Sequence, residues 1–304
     1  MYRSILVPLD GSKFAEHALP YALALAGQSG GRLRLVQVHE PPVPIEFAAE
    51  VPSAFYEDET TRALEWESLQ EVATSLAREW GVAVTPRMRE GEPVTALARE
   101  VAESGASLVV MSTHGRGPLA RAWLGSVADG LLRTVRVPLL LVRPRNGAVE
   151  LAPHAGFRNI LVPLDGSSLS ERVLEHAVPL AEASRARLTL LRTVPASVPV
   201  PAPYAYVGGA AAESDAVVGQ LREEAQRSLD RVAGRLGVAA ECVVTAAASP
   251  AEGILDHAKQ TGADLIAMST HGYGGFARIL HGSVADKVIR GAGTPVLVVR
   301  PERG

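Results

Sequence analysis

Apolar residues fall along this chain in two alternating patterns. Short apolar-rich stretches occupy residues 4–9, 32–38, 82–88, 107–111 and 138–142, and the first of them is nearly continuous. Runs of this kind predict strands covered on both faces, as in a parallel sheet. Between them apolar residues recur every three or four positions, the helical period. Leu64, Leu69, Val72 and Leu76 mark the inward face of a helix predicted over 57–80. Other helices are predicted over 13–28, where the internal Pro20 should introduce a kink, over 93–104, and from Ser126 onward. The order then repeats, with strands expected at 159–164, 187–194, 238–245, 264–268 and 295–299.

Strict alternation of strand and helix predicts an α/β fold, a doubly wound parallel sheet with helices on both faces. The repeat makes it two such folds in tandem. Residues 3–12 return at 158–167 with an offset of 155, and 112–115 return at 269–272 with an offset of 157. A period this long signals two whole domains, 1–147 and 148–304, joined through the Asn-, Gly- and Pro-containing stretch 145–156. Two long connections, 39–56 and 195–212, follow the second strand of each half. Both are read either as surface excursions or as lids over a ligand.

In such sheets ligands bind beyond the C-terminal strand ends, where the strand order reverses. Asp10-Gly-Ser12 follows the first strand of one half, and Asp165-Gly-Ser167 that of the other. Ser112-Thr-His-Gly115 and Ser269-Thr-His-Gly272 follow the fourth strands. After each comes a loop, then Gly125-Ser126 or Gly282-Ser283 at the start of an amphipathic helix. A glycine loop leading into a helix N-terminus gathers unpaired N–H groups and the positive end of the helix dipole, which suits an anion. Ser126 with Asp129, and Ser283 with Asp286, also fit a helix cap, so Ser126 is expected to cap its helix and face phosphate at once. Asp10 and Asp165 also fit ordinary turn chemistry. Their repetition at the expected crevice favours ligand contact.

These residues resemble the universal stress protein family, and the resemblance spans nearly the whole chain as a tandem pair. The family's nucleotide-binding pattern is glycine, two residues, glycine, nine residues, glycine, then Ser or Thr. Gly115 and Gly125-Ser126 keep the nine-residue spacing, as do Gly272 and Gly282-Ser283, while Ser112 and Ser269 replace the first glycine. The resemblance implies sheets of order 3-2-1-4-5 and an adenine nucleotide, ATP or a relative, in each crevice. Asp10 and Asp165 match its acid after the first strand, and Val38 and Thr193 its residue beside the adenine. The candidate binding residues are therefore Pro8, Leu9, Asp10, Val38, Ser112, His114, Gly115, Gly125, Ser126 and Val127 in the first half. In the second they are Pro163, Leu164, Asp165, Thr193, Ser269, His271, Gly272, Gly282, Ser283 and Val284. Mg²⁺ is expected only with a bound nucleotide. The resemblance also implies a role in stress survival, and pairing of the two domains through their fifth strands in imitation of a homodimer. A second function class stays open: an interaction protein of the same fold with degenerate sites, working through dimerisation.

Other chemistry is less favoured. Gly115-Arg-Gly-Pro-Leu-Ala120 satisfies a dinucleotide fingerprint, but it follows the fourth strand instead of the first. No P-loop lysine motif is present, and neither His114 nor His271 sits in a nucleophile-and-acid set, so no enzyme is expected beyond a slow ATPase. Arg121 and Arg278 recur in the loops and could neutralise phosphate, or be exposed loop arginines. The formal charge of -3 gives no reason to expect nucleic-acid binding. Cys242 is the single cysteine, so neither an internal disulfide nor a cysteine-built metal site can form. No apolar run reaches the ~20 residues of a membrane span, and residues 1–5 enter a strand without reading as a signal peptide. A cytoplasmic location is the expectation.

Overall fold

Every residue of Ser4–Leu9 is buried, which for a strand means cover on both faces. The structure, a computed structural model, describes residues 1–41, 51–113, 124–144, 156–198, 210–270 and 283–300. Two compact units divide the chain, Met1–Gly156 and Phe157–Gly304.

The first unit runs β1 (Ser4–Leu9), α1 (Lys13–Glu16), α2 (Leu19–Ser29), β2 (Arg32–His39), α3 (Val51–Trp80), β3 (Ala83–Glu90), α4 (Pro93–Ser104), β4 (Leu108–Ser112), α5 (Ser126–Thr134) and β5 (Leu139–Val142). Its strands lie in the order β3-β2-β1-β4-β5, all parallel. The second unit runs β6 (Asn159–Pro163), α6 (Ser168–Glu171), α7 (Leu174–Ser184), β7 (Arg187–Pro195), α8 (Ala210–Ala233), β8 (Glu241–Ala247), α9 (Pro250–Thr261), β9 (Leu265–Ser269), α10 (Ser283–Gly291) and β10 (Val296–Val299). Its order is β8-β7-β6-β9-β10, again parallel. Each unit thus has the doubly wound 3-2-1-4-5 sheet. Ile5, Leu6, Leu33, Leu35 and Leu108 fill the middle of the first, and Ile160, Leu161 and Leu190 that of the second, none of them more than 1% exposed.

Several elements depart from the expected bounds. The helix predicted over 13–28 is two helices, broken at His17–Ala18, with Pro20 in the first turn of α2. Pro20 thus sits where its missing N–H costs no helical hydrogen bond. The second half breaks at the matching place between α6 and α7, although Pro179 lies inside α7, so the break does not depend on the proline. The helix expected from 57 already starts at Val51. The strand expected from 238 begins at Glu241, where its ladder with β7 begins.

Leu64 is a clear correction: it is 61% exposed and not on the core face of α3. Leu69, Ala73 and Leu76 form that face, and Glu65 extends it toward the N-terminus to meet a histidine of β2. One helical position is a rotation of about 100°, which turns Leu64 outward when Glu65 turns inward.

Candidate functional site

The turn after β1 is shaped by its acid. Asp10 Oδ1 accepts the Ser12 N–H at 2.9 Å, and Ser12 Oγ accepts the Ala15 N–H at 3.2 Å, capping α1. Asp165 Oδ1 likewise accepts both the N–H and the hydroxyl of Ser167, at 2.9 and 2.6 Å. Gly11 and Gly166 have φ of 74° and 84°, a left-handed conformation that a side chain would strain. Each aspartate therefore has a structural role in its turn, and it also stands at the C-terminal end of its strand.

Beside β1 lies β4. Extending their register from Leu6 and Val109 brings Leu9 level with Ser112. Ser112 and Thr113 are buried. The Thr113 N–H donates to the Val142 carbonyl at 2.9 Å, and its carbonyl accepts the Gly125 N–H at 2.8 Å. That last bond ties the start of α5 to the end of β4, so Asp10, Ser112 and the α5 N-terminus share one end of the sheet.

The cap of α5 differs from expectation. Gly125, not Ser126, is the N-cap residue, and no side chain caps the helix. Ser126 is the first helical residue and is exposed. Asp129 forms no capping box with it, pairing with Arg133 at 2.9 Å instead. Gly125 has φ of -59° and ψ of 150°, which any residue can adopt, so this glycine is not required for a left-handed turn. What it leaves is first-turn N–H groups without a side-chain cap, the arrangement that receives an anion. In the second half Asp286 pairs with Arg290 at 2.9 Å in the same way, and Ser283 opens α10.

Val38, near the end of β2, is half-buried, and Val127 and Val284 lie in the first turns of α5 and α10. Pro8, Leu9 and Leu164 are buried, and Pro163 half-buried, at the ends of β1 and β6. Thr193 faces α9 so closely that a Cβ on Gly253 would come within 2.6 Å of its Cγ2. His114, Gly115, Arg121, His271, Gly272, Arg278 and Gly282 lie outside the described residues, as do residues 42–50 and 199–209 of the two long connections.

Three features emerge only in the structure, the first of them at a residue already named as a candidate. First, Ser269 Oγ is buried without a hydrogen-bond partner among the described residues, at the end of β9. A buried hydroxyl left so normally has a water or ligand to satisfy it. Second, Arg192 stands where the first half has Gln37, and its guanidinium lies against the turn after β6. A Cβ on Gly166 would fall 2.2 Å from Arg192 Nη1. Third, His39 is buried between two acids of α3: Nδ1 lies 2.8 Å from Glu65 Oε2 and Nε2 2.9 Å from Asp58 Oδ1. The alternation of β2, which puts Gln37 and His39 on the face of Leu33 and Leu35, was the available signal. Burial on its own pushes His39 down, but the hydrogen bonds and charges of Glu65 and Asp58 outweigh it and raise its pKa.

A groove of about 390 Å³ is lined by Arg34, Arg87, Arg89, Glu100 and Glu103. Glu100 is fully buried there, held by Arg34 at 2.7 Å and by Arg89. It fastens α4 to β2 and β3. Among the described residues no group of three or more acids, histidines or cysteines could hold a metal, and no helix is long and apolar enough to cross a membrane.

The universal stress protein family model matches residues 1–143 and 156–300. A universal stress protein of Mycolicibacterium smegmatis is 29% identical over 304 residues, covering 98% of this chain and 97% of its own. One from Mycobacterium tuberculosis is 28% identical over 313 residues, covering 97% and 94%. Among solved structures, a universal stress protein from Archaeoglobus fulgidus superposes with a TM-score of 0.68 at 21% identity, covering 98% of both chains. At that identity the likeness speaks for the fold.

Proposed function

The chain belongs to the universal stress protein family, as two tandem copies of its domain, and on that premise we propose that each half binds an adenine nucleotide, most readily ATP. The observation that carries this reading is the uncapped start of α5, tied to the end of β4 by the Thr113–Gly125 hydrogen bond at the sheet end that holds Asp10. First-turn N–H groups and the helix dipole would take the phosphates. Ser126 would add its hydroxyl, Asp10 would face the ribose or a nucleotide-bound Mg²⁺, and Val38 would pack on the base. The orphaned Ser269 hydroxyl fits a polar ligand in the second half. There Asp165, Thr193, Ser283 and Val284 take the corresponding roles.

Bound nucleotide would make the chain a regulatory or protective module in stress survival, cytoplasmic and without enzymatic turnover beyond slow ATP hydrolysis. The two halves would pair within the chain, and a homodimer would extend that pairing. The second reading is an interaction protein with degenerate sites. It draws on Ser112 and Ser269, whose buried side chains stand where the family pattern has glycine.

Denaturing the purified protein and identifying the released small molecules separates the two. Adenine nucleotide approaching two per chain supports binding, and its absence, with no ATP heat in calorimetry, supports degenerate sites. Gly125→Val combined with Gly282→Val should abolish binding. At Gly125 the backbone already suits valine, so there the change tests approach of the ligand and not the fold. Unchanged affinity in that variant would remove the site assignment.

A further inference from the structure

His39 is the last residue of β2, where the chain leaves the sheet at the ligand end. Its side chain is 5% exposed, and each ring nitrogen faces its own carboxylate. A neutral imidazole has one N–H and can donate to only one of them. With both carboxyls ionised, both contacts are hydrogen bonds only when both nitrogens carry a proton and the ring is an imidazolium. Asp58 and Glu65 are two turns apart on α3, so they project from one face and grip the ring from either side.

Among the described residues the other charges near His39 are engaged or turned away, and Glu40, next in sequence, is exposed. Glu90 of β3 is in register with His39 and pairs with Arg62 of α3 at 2.5 Å. Neither β1 nor α2 carries a charged residue. The Arg34–Glu100 pair lies on the opposite face of β2, as the strand alternation requires. The second half has no such device, since Val194, buried at 6%, occupies the matching strand position.

We propose that protonated His39 is a clasp holding α3 onto the end of β2, and that losing one proton opens it, so that the first half alone loosens α3 at alkaline pH. A neutral ring keeps one carboxylate and leaves the other half-buried without its donor, which favours separation of the helix from the strand. The clasp does not depend on the nucleotide reading.

The test uses the full chain without added ligand. Imidazole resonances are titrated by NMR, with His39 assigned through His39→Val, and amide exchange is followed at residues 58–66 over the same pH range after correction for intrinsic rates. The expected result is a His39 midpoint above about 6.5. Protection of 58–66 should fall about tenfold as the ring deprotonates, the signature of one segment opening locally, while residues 214–230 of α8 hold steady. His39→Val should make protection of 58–66 independent of pH. Asp58→Asn with Glu65→Gln should move the midpoint to the ordinary value or below. A His39 midpoint at or below 6.5 in the unmodified chain, or protection that ignores the titration, overturns the clasp.

Discussion

Leu64 and Leu76 are the same residue type on the same helix, yet one is 61% exposed and the other fully buried. Truncating Leu76 to alanine should cost about 2–5 kcal/mol, since it removes buried methyls and leaves a cavity. Leu64→Ala should stay within about 0.5 kcal/mol of the parent. Urea unfolding of both variants checks the contrast, and equal losses would contradict the orientation of α3. Glu100 is a harder case because it is ionic and fully buried. Arg34→Leu alone should destabilise by about 3–5 kcal/mol, because it strips a buried carboxylate of one partner. Replacing Arg34, Arg89 and Glu100 together by leucine should recover most of that loss, since buried ion networks gain little over apolar packing. Denaturant midpoints of the single and triple variants decide it.

Individual helices are expected to respond to pH in opposite senses. Burial lowers the pKa of His176 in α7, with the Glu175 charge pulling the other way. Its folded form therefore binds fewer protons than the unfolded chain, and stability falls as pH drops below the unfolded value of about 6.5. His257 in α9 is lowered by burial too, against the charge of Glu241. His39 has the reverse sign: with a raised pKa, its contribution is complete below about 6.5 and is lost as pH rises through the folded value. Amide exchange in the full chain should accordingly show α7 losing protection between about pH 7 and 5, the range around an ordinary histidine pKa, while α3 loses it on the alkaline side. His176→Gln should remove much of the acid sensitivity of α7. If α7 exchanges identically in both proteins across that range, the buried histidine is not its cause.

Across the molecule, each sheet ends on a short apolar strand, Leu139–Val142 in one unit and Val296–Val299 in the other. An apolar edge left open invites aggregation, so proteins pair or cover it. The proposed intrachain pairing of these strands would meet that need for both units at once. It predicts strong exchange protection at the amides of Leu139, Leu140, Leu141, Val296, Leu297 and Val298. It also predicts that residues 1–148 expressed alone self-associate. Rapid exchange at those strands, or a soluble monomeric fragment at high concentration, would favour two independent domains on a tether.

The architecture was legible in the chain's patterning. Continuous apolar runs such as Ser4–Leu9 fit only strands covered on both faces, and their alternation with helical periods leaves few options beyond a doubly wound sheet. The strand ends that carry Asp10 and Ser112 were also legible as neighbours at one end of the sheet, because topology fixes which strands adjoin. Which atoms are already engaged became visible only in the folded chain. Ser126 reads as a cap in one dimension, but the Thr113 carbonyl draws Gly125 into that position. Leu64 reads as core until Glu65 is turned inward by His39, a partner 26 residues away. Local patterns report period and propensity, whereas hydrogen bonds between distant segments depend on where the folded chain brings their ends together.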